Sequence, residues 1–401
     1  MNDRMQRAFA IATCLLSAIS LSCSHPEAEV ARAWDAKAAA AYLDYRESWW
    51  MTWTGASLDH GTFCVSCHTV LPYALSRPAL RLALAEESPS VNERKLIDNV
   101  TQRVRLWKNL GPYYSDRGDD HKTAESRGTE SVLNALILAN FDAQSGHLSE
   151  DTRTAFANMW ELQQTTGEEK GSWLWLQFDA EPWEANDSAY YGATLAAMAV
   201  GTAPESYKSS PNIQGNLALL RDYLKRESAA QSTINRVFLL WASTKLPGLL
   251  APEQQRAIIH EIMARQQADG GWRLASIAWK WNDWSFRSLV NMWLREDGTP
   301  LEGKSDGVAT GLVTLVLQGA GVARENAQLR RGLSWLASNQ NAAEGFWPAT
   351  SLNKKRSPTS DTGRFMSDAA TAYAVLALTE NQRTKGPEAS AAIIADRHSV
   401  K

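Results

Sequence analysis

The chain of 401 residues contains only four cysteines and seven histidines. Two of the cysteines, Cys14 and Cys23, lie in or beside an apolar N-terminal run, so the rest of the chain holds the single pair Cys64 and Cys67. This scarcity excludes a disulfide framework. With 41 basic and 44 acidic residues the net charge is −3, which excludes the basic field of a nucleic-acid-binding protein. Apolar residues at 44% and charged residues at 21% exclude a disordered or collagen-like chain.

The N-terminus has the pattern of an export signal. Arg4 and Arg7 precede an apolar run over residues 8–21, which is too short to span a bilayer. We therefore predict a signal peptide over residues 1–22, with lipid attached to Cys23 as in bacterial lipoproteins. A plain secreted form and a retained anchor are the alternatives. We expect a periplasmic protein, held peripherally at the outer membrane in its lipoprotein form.

Tryptophan, at 17 residues, outnumbers both tyrosine at 10 and phenylalanine at 9. Several of the tryptophans end a repeated pattern, in which a helical stretch closes with glutamine, a glycine turn and then tryptophan. Glycine ends a helix readily, and an indole can pack back on the last turn. The three copies run from Gln163 to Trp173, from Gln266 to Trp272 and from Gln340 to Trp347.

A second pattern follows each copy, namely an aspartate that suits a helix N-cap and then small and aliphatic residues. Asp187, Asp306 and Asp368 begin these stretches. A helix that is apolar nearly all round is a buried helix. Three more pairs of an amphipathic and an apolar stretch fit the scheme without the tryptophan, which predicts buried helices starting near residues 64, 126, 187, 233, 306 and 368.

Six outer–inner helix pairs predict an all-α protein built as a single closed α/α toroid, because closure gives every inner helix two neighbours. The length alone would suggest two or three domains, but the repeats override that expectation. We place the toroid over residues 36–380, with the tryptophan repeats in 150–380, and a polar C-terminal tail over 381–401.

The repeat resembles the QW motif of squalene–hopene cyclases and their relatives, since Arg-Gly-x-x-Trp-Leu at residues 331–336 precedes the third copy. The resemblance implies the α/α toroid of terpene cyclases and of protein prenyltransferase β subunits. Class II cyclases of this family protonate an alkene with the middle aspartate of Asp-x-Asp-Asp-Thr-Ala. The matching stretch here, residues 184–189, has Asn186 at that position, and an amide cannot act as that proton donor.

Four acids remain as candidate catalytic residues at the end of the barrel where the inner helices start. They are Glu184, Asp187, Asp306 and Asp368. In the family, the positions of Glu184 and Asp187 support the acid. The alternative interpretation is that the three aspartates only cap their helices. An apolar cavity beside them, lined by Trp and Tyr, would suit an isoprenoid.

The stretch Cys-Val-Ser-Cys-His at residues 64–68 has the pattern of c-type haem attachment in an exported protein. Cys64 and Cys67 would form thioethers with the haem vinyl groups, and His68 would be the proximal iron ligand. We define residues 60–84 as the haem-attachment segment. Chance occurrence is disfavoured because these are the only cysteines of the mature chain.

Two alternatives stay open for the same residues. A zinc site would use Cys64, Cys67 and His68, with an inner-helix aspartate such as Asp368 as the fourth ligand. A disulfide, or no ligand at all, is the other. For haem we predict Met366 as the sixth iron ligand, because in a closed ring the sixth inner helix neighbours the first. An open sixth position would instead suit oxygen or peroxide chemistry.

Four segments together resemble bacterial cyclase-like proteins that carry a cytochrome c signature. This second resemblance implies a toroid with haem c, and it implies no particular reaction. The matching segments are Cys64–Thr69, Pro72–Leu75, Arg77–Leu80 and Met366–Ala372.

We therefore predict a redox or electron-transfer protein that holds an apolar ligand, isoprenoid-like or quinone-like, in its cavity and that meets a redox partner protein. The first alternative is a class II terpene cyclase or a derivative of one, and the second is a non-catalytic lipid-binding or sensory toroid. A tryptophan-rich stretch before the fifth inner helix is either a lid, a membrane-facing entry or a buried excursion. Its aromatic residues are Trp279, Trp281, Trp284, Phe286 and Trp293.

Overall fold

The computed structural model describes residues 34–116, 118–279 and 286–383. Within these ranges all regular secondary structure is helical, and only isolated bridges pair extended residues. The all-α prediction is therefore confirmed for the described residues. The predicted signal peptide, Cys23 and most of the polar tail lie outside them. None of the described helices is both long enough and apolar enough to cross a bilayer.

Six helices of the described chain form an inner group that is buried on nearly every side. In four of them every residue over ten or more positions is buried, as the apolar stretches predict. The inner helices are α2 (Val70–Ala83), α4 (Asp120–Asp142), α6 (Ser188–Thr202), α9 (Thr233–Lys245), α13 (Gly307–Gly319) and α15 (Phe365–Arg383).

Six further helices pack on the outside of this group, and each precedes an inner helix in the chain. Their buried residues recur on one face, which is the pattern of a half-exposed helix. The outer helices are α1 (Ala36–Thr52), α3 (Val91–Arg105), α5 (Glu150–Glu161), α8 (Gln214–Glu227), α10 (Pro252–Ala264) and α14 (Ala327–Ser338). Three short helices lie in the connections: α7 (Glu205–Lys208), α11 (Leu274–Ala278) and α12 (Phe286–Asn291).

The inner helices contact one another in chain order, and the last returns to the first. Helix α2 packs on α4, then α4 on α6, α6 on α9, α9 on α13, α13 on α15, and α15 on α2. Four of the six start within three residues of the predicted positions. The first starts at Val70 rather than near 64, because the Ser66 hydroxyl accepts hydrogen bonds from the amides of Thr69 and Val70 and holds the preceding residues as a loop. The second starts earlier than predicted, at the N-cap Asp119.

Each tryptophan repeat makes the same two side-chain contacts. The tryptophan indole donates to a carbonyl near the end of its own outer helix, as Trp272 does to Ile262 at 2.8 Å. The glutamine amide donates to the glycine carbonyl of its own turn and to a carbonyl at the start of the next outer helix of the ring. These second contacts are Gln163 to Asn216 at 3.1 Å, Gln266 to Gln328 at 2.7 Å and Gln340 to Asp35 at 2.9 Å.

The third repeat joins the last outer helix to the first. Gln340 donates to the carbonyl of Asp35 and accepts from the Asp35 amide at 2.6 Å, so the two residues bind each other in both directions. The repeat's turn glycine, Gly345, lies against the backbone of Ala38 in α1. The pattern that links neighbouring outer helices therefore also links the last to the first.

Gly345 is a site where an added methyl group should be costly. Its φ is +81°, and a Cβ there would lie 2.4 Å from the carbonyl carbon and oxygen of Ala38. We expect Gly345→Ala to lower the free energy of unfolding by about 2–4 kcal/mol, since left-handed strain and backbone displacement add. Gly321→Ala is the matched control, because Gly321 has a φ of +79° and open space around it. It should cost about 1 kcal/mol. Equal losses in urea titrations of the two variants would contradict the role given to the Ala38 contact.

The tryptophan-rich stretch divides into a buried and an exposed part. Trp279 is buried, whereas Phe286 and Trp293 are 83% and 71% exposed. Trp281 and Trp284 lie outside the described residues.

Candidate functional site

The two cysteines lie in a loop between α1 and α2 that is fixed at several points. The Cys64 amide donates to the carbonyl of Ala56 at 2.8 Å, and the Cys64 carbonyl accepts from the Trp50 indole at 2.7 Å. Both side-chain thiols are free. Burial raises the pKa of the Cys64 thiol to about 12 and that of Cys67 well above its ordinary value. Both thiols are therefore protonated at neutral pH.

His68 is held through its Nδ1 atom. This nitrogen lies 2.9 Å from the hydroxyl oxygen of Thr69, and the Thr69 hydroxyl donates to Oδ2 of Asp368 at 2.8 Å. Because the single hydroxyl proton goes to the carboxylate, the Thr69 oxygen accepts from His68, which places the imidazole proton on Nδ1. Burial, assisted by the charges of Arg46 and Arg356, lowers the pKa of His68 to about 3. A neutral ring with an unprotonated Nε2 is the form that binds a metal ion.

Asp368 anchors this arrangement from the start of α15. Its carboxyl group is 1% exposed and accepts hydrogen bonds from the Tyr42 hydroxyl, the Thr69 hydroxyl, and Nε and one terminal nitrogen of Arg46, at 2.8–3.1 Å. Burial raises the pKa of Asp368, but a carboxyl that accepts from four donors is an ionised one. Asp368 is thus neither a helix cap, since α15 begins at Phe365, nor available as a ligand of zinc.

A cavity of about 540 Å³ opens beside this loop, within the size range of small-molecule sites. It brings together all four predicted haem residues and one of the predicted acids. Cys64, Cys67, His68, Met366 and Glu184 all line it.

Aromatic rings surround His68 on the cavity side. The Phe365 ring stacks on the imidazole, with centroids 4.0 Å apart, and Trp50 meets it edge-on at 5.2 Å. Trp53 and Trp183 also line the cavity. Trp173, Trp175, Tyr190 and Tyr191 lie in the buried core and not on the cavity wall. The walls beside His68 are therefore apolar, with a single nitrogen ligand among them.

The four predicted acids separate in the structure. Only Glu184 lines the cavity. Asp306 is the N-cap of α13, where it accepts from the amides of Ala309 and Leu274 at 3.0 and 2.5 Å, and burial raises its pKa to about 6. Asp187 immediately precedes α6 and is partly buried, and Asn186 beside it is exposed. The cap interpretation thus holds for Asp306.

Among the four predicted acids, Glu184 is the one whose pKa is raised at the cavity wall. Burial raises its pKa to about 7, against the opposing charge of Lys122. Between about pH 4.5 and 7 the folded chain keeps a proton there that the unfolded chain releases, so the free energy of unfolding falls as pH rises through this window. Glu184→Gln should remove this share of the pH dependence. The difference in free energy of unfolding between the variant and the wild type should shift in favour of the variant by about 1–3 kcal/mol from about pH 5 to about pH 8.

Urea titrations across that range measure the effect. Glu302→Gln, at an exposed position on the same cavity, is the control and should follow the wild-type curve. Burial also raises the pKa of Glu181 to about 7, so the free energy of unfolding of every variant should still depend on pH in this range. A Glu184→Gln curve parallel to that of the wild type would contradict the burial of this carboxyl.

Several residues of the site were not predicted from the sequence. Arg46 and Thr69 hold the Asp368 and His68 side chains, and Phe365 covers the imidazole. Thr69 follows His68 directly, which is the one local sign of its role. The rest of the cavity rim comes from irregular chain around residues 295 and 351–363, where no helical period marks a position.

A preformed zinc site is not present in the described ranges, since no group of three or more His, Cys, Asp or Glu side chains there is arranged to hold a metal ion. The donors instead suit a planar cofactor with its own metal, because two thiols and one imidazole nitrogen line one cavity with aromatic rings beside the imidazole.

No protein-family model and no curated protein matches the chain. Among solved structures, two glycosidases are similar to it at 13% and 14% identity, with TM-scores of 0.47 and 0.46, over 86% of this chain and 98% of each glycosidase. A polysaccharide lyase is similar at 12% identity and a TM-score of 0.35, over 89% of this chain and 92% of the lyase. Likenesses this distant say nothing of activity, so the function rests on the residues of the site.

Proposed function

We propose that the chain is an exported c-type haem protein on a single α/α toroid, and that it transfers electrons to or from an apolar ligand. One observation carries the proposal. Cys64, Cys67 and His68 line the same cavity, and Nδ1 of the imidazole lies 2.9 Å from a Thr69 hydroxyl that donates to Asp368, which favours the tautomer with an unprotonated Nε2. The cyclic contacts of the six inner helices support the toroid.

The residues have separate tasks in this proposal. Cys64 and Cys67 hold the haem covalently, and His68 ligates its iron through Nε2. Thr69 and Asp368 fix the imidazole by the hydrogen bonds to Nδ1, as outer partners of metal-bound histidines commonly do. Met366, which is 7% exposed at the cavity wall, is the proposed sixth ligand. When bound, haem supplies one-electron chemistry.

The aromatic residues beside His68 favour an apolar ligand of the isoprenoid or quinone class. A protein partner would exchange electrons at the open side of the cavity. The predicted signal peptide and the lipid at Cys23 make the periplasm, and peripheral attachment to the outer membrane, the proposed location.

A pyridine haemochrome spectrum of the full chain, produced together with the cytochrome c maturation machinery, tests this function. We expect a c-type band at about one haem per chain. Purified protein without covalent haem would overturn the proposal. Zinc analysis of the same sample would then test the alternative at Cys64, Cys67 and His68.

A class II cyclase remains the second candidate because Glu184 holds its proton near neutral pH in an aromatic cavity. Cyclised product from squalene or shorter polyprenols, lost in Glu184→Gln and in Asp187→Asn, would favour it. Bound lipid with neither product nor redox change would favour a lipid-binding or sensory toroid.

A further inference from the structure

Four basic residues line the same cavity as His68, although the whole chain carries a net charge of only −3. They are Arg295, Lys354, Lys355 and Arg356. They belong to two irregular segments that are tied together, since the Glu296 amide donates to the Asn353 carbonyl at 2.9 Å. The positive charge is therefore concentrated on one part of the rim by the fold.

Arg295 is the member of this group whose buried side chain lacks a close carboxylate among the described residues. Its side chain is 8% exposed, and in the described ranges its closest carboxylate, that of Asp297, lies 3.8 Å from Nε, beyond hydrogen-bonding distance. Nε has no hydrogen-bond partner within the described residues. A buried guanidinium left in this state is unfavourable, and its planar donors match the two oxygens of a carboxylate.

Arg356 is the second guanidinium on this rim. Its side chain is exposed and has no hydrogen bond or ion pair within the described part of the chain, whereas Lys354 lies 3.9 Å from Glu296. On the cavity wall formed by residues 180–184, Glu181 and Glu184 are acids. A carboxylate that enters the cavity is therefore attracted to the arginines rather than to the wall of Glu181 and Glu184, which fixes its direction.

We infer that Arg295 and Arg356 form a carboxylate-binding site in the cavity. The carboxylate could come from two sources. The first is the propionate groups of the haem, and for this source the inference rests on the proposed haem function. The other source is the carboxylate of a free amphipathic ligand, such as a long-chain fatty acid, which binds whether or not haem is attached.

Two titrations separate these sources. The first adds haemin or haemin dimethyl ester to the full apo chain carrying Cys64→Ala and Cys67→Ala, and follows the absorbance. If the arginines bind propionates, haemin binds at least about tenfold more tightly than the ester, as expected for a charge-assisted hydrogen bond, and Arg295→Gln removes the preference.

The second titration adds palmitate or hexadecanol to the protein as purified, and follows the binding heat. If the arginines bind a free carboxylate, palmitate binds about tenfold more tightly and Arg295→Gln removes that difference.

Arg330→Gln, an exposed substitution on α14 away from the cavity, is the matched control and should change neither titration. Arg356→Gln keeps the test valid if Arg295→Gln fails to fold, because Arg356 is exposed. Equal binding of acid and uncharged analogue in both titrations would overturn the carboxylate site. The haemochrome spectrum of the wild type tests the haem function separately, since the palmitate titration does not depend on covalent haem.

Discussion

Replacing both Cys64 and Cys67 by alanine should leave no covalently bound haem, and each single replacement should leave one thioether link. The reason is that the described part of the chain contains no other cysteine. Haem staining on a denaturing gel, together with the haemochrome spectrum, measures the loss. If the double variant still stains for haem on such a gel, Cys64 and Cys67 are not the attachment residues.

His68→Ala provides the contrast that separates attachment from ligation. Both thiols remain, so haem should stay on the denaturing gel, while the spectrum of the native protein should change because the iron loses its proximal ligand. His121→Ala is the matched control. His121 is largely exposed, 2.9 Å from Glu125 and outside the cavity lining, so its loss should alter neither readout.

Asp368→Asn should be the most destabilising of the polar substitutions discussed. Arg46 is 1% exposed and would lose its buried carboxylate, and breaking a buried ion pair by removing one partner costs about 3–5 kcal/mol. Urea titration of the apo chain measures this loss. If haem is bound as proposed, the same variant should broaden the spectroscopic signature of the His68 ligand, since asparagine leaves one acceptor oxygen for the four donors and the Thr69 hydroxyl is less firmly fixed.

Asp361→Asn is the control for this prediction. Asp361 binds the same guanidinium at 2.8 Å but is 44% exposed, and a pair of that kind is worth about 0–1 kcal/mol. The backbone carbonyl of Asp361 would still accept from Arg46. Equal destabilisation by the two substitutions would mean that burial of Asp368 does not determine the strength of its contact with Arg46.

The helix pairs could be predicted because their signs are local. A run of apolar residues, an N-cap such as Asp306 and a turn glycine such as Gly345 each act within a few residues of chain. The sequence Cys-Val-Ser-Cys-His at residues 64–68 is equally local, and haem attachment there stays a prediction. These features located the outer and inner helices, and they identified Cys64, Cys67 and His68, which line the cavity together.

The contacts that position His68 could not be predicted in the same way. Asp368 has the appearance of a helix cap in sequence, yet its partner Arg46 lies 322 residues away on the first helix. Arg295 and Arg356 come from irregular segments without a repeating pattern, so nothing in their neighbours marks them as lining a cavity. A buried ion pair such as that of Arg46 and Asp368 depends on how distant helices pack together, and local sequence propensity does not encode that packing.

The reciprocal bond between Gln340 and Asp35 has a consequence for the order in which the protein is made. It joins residues 305 positions apart, so α1 and α2 leave the ribosome long before α15 exists to cover them. In the finished ring Cys67 is 7% exposed and both thiols are protonated by burial, which makes them poor nucleophiles. If haem is attached as proposed, the thiols can react readily only in the interval after export and before the last helix arrives.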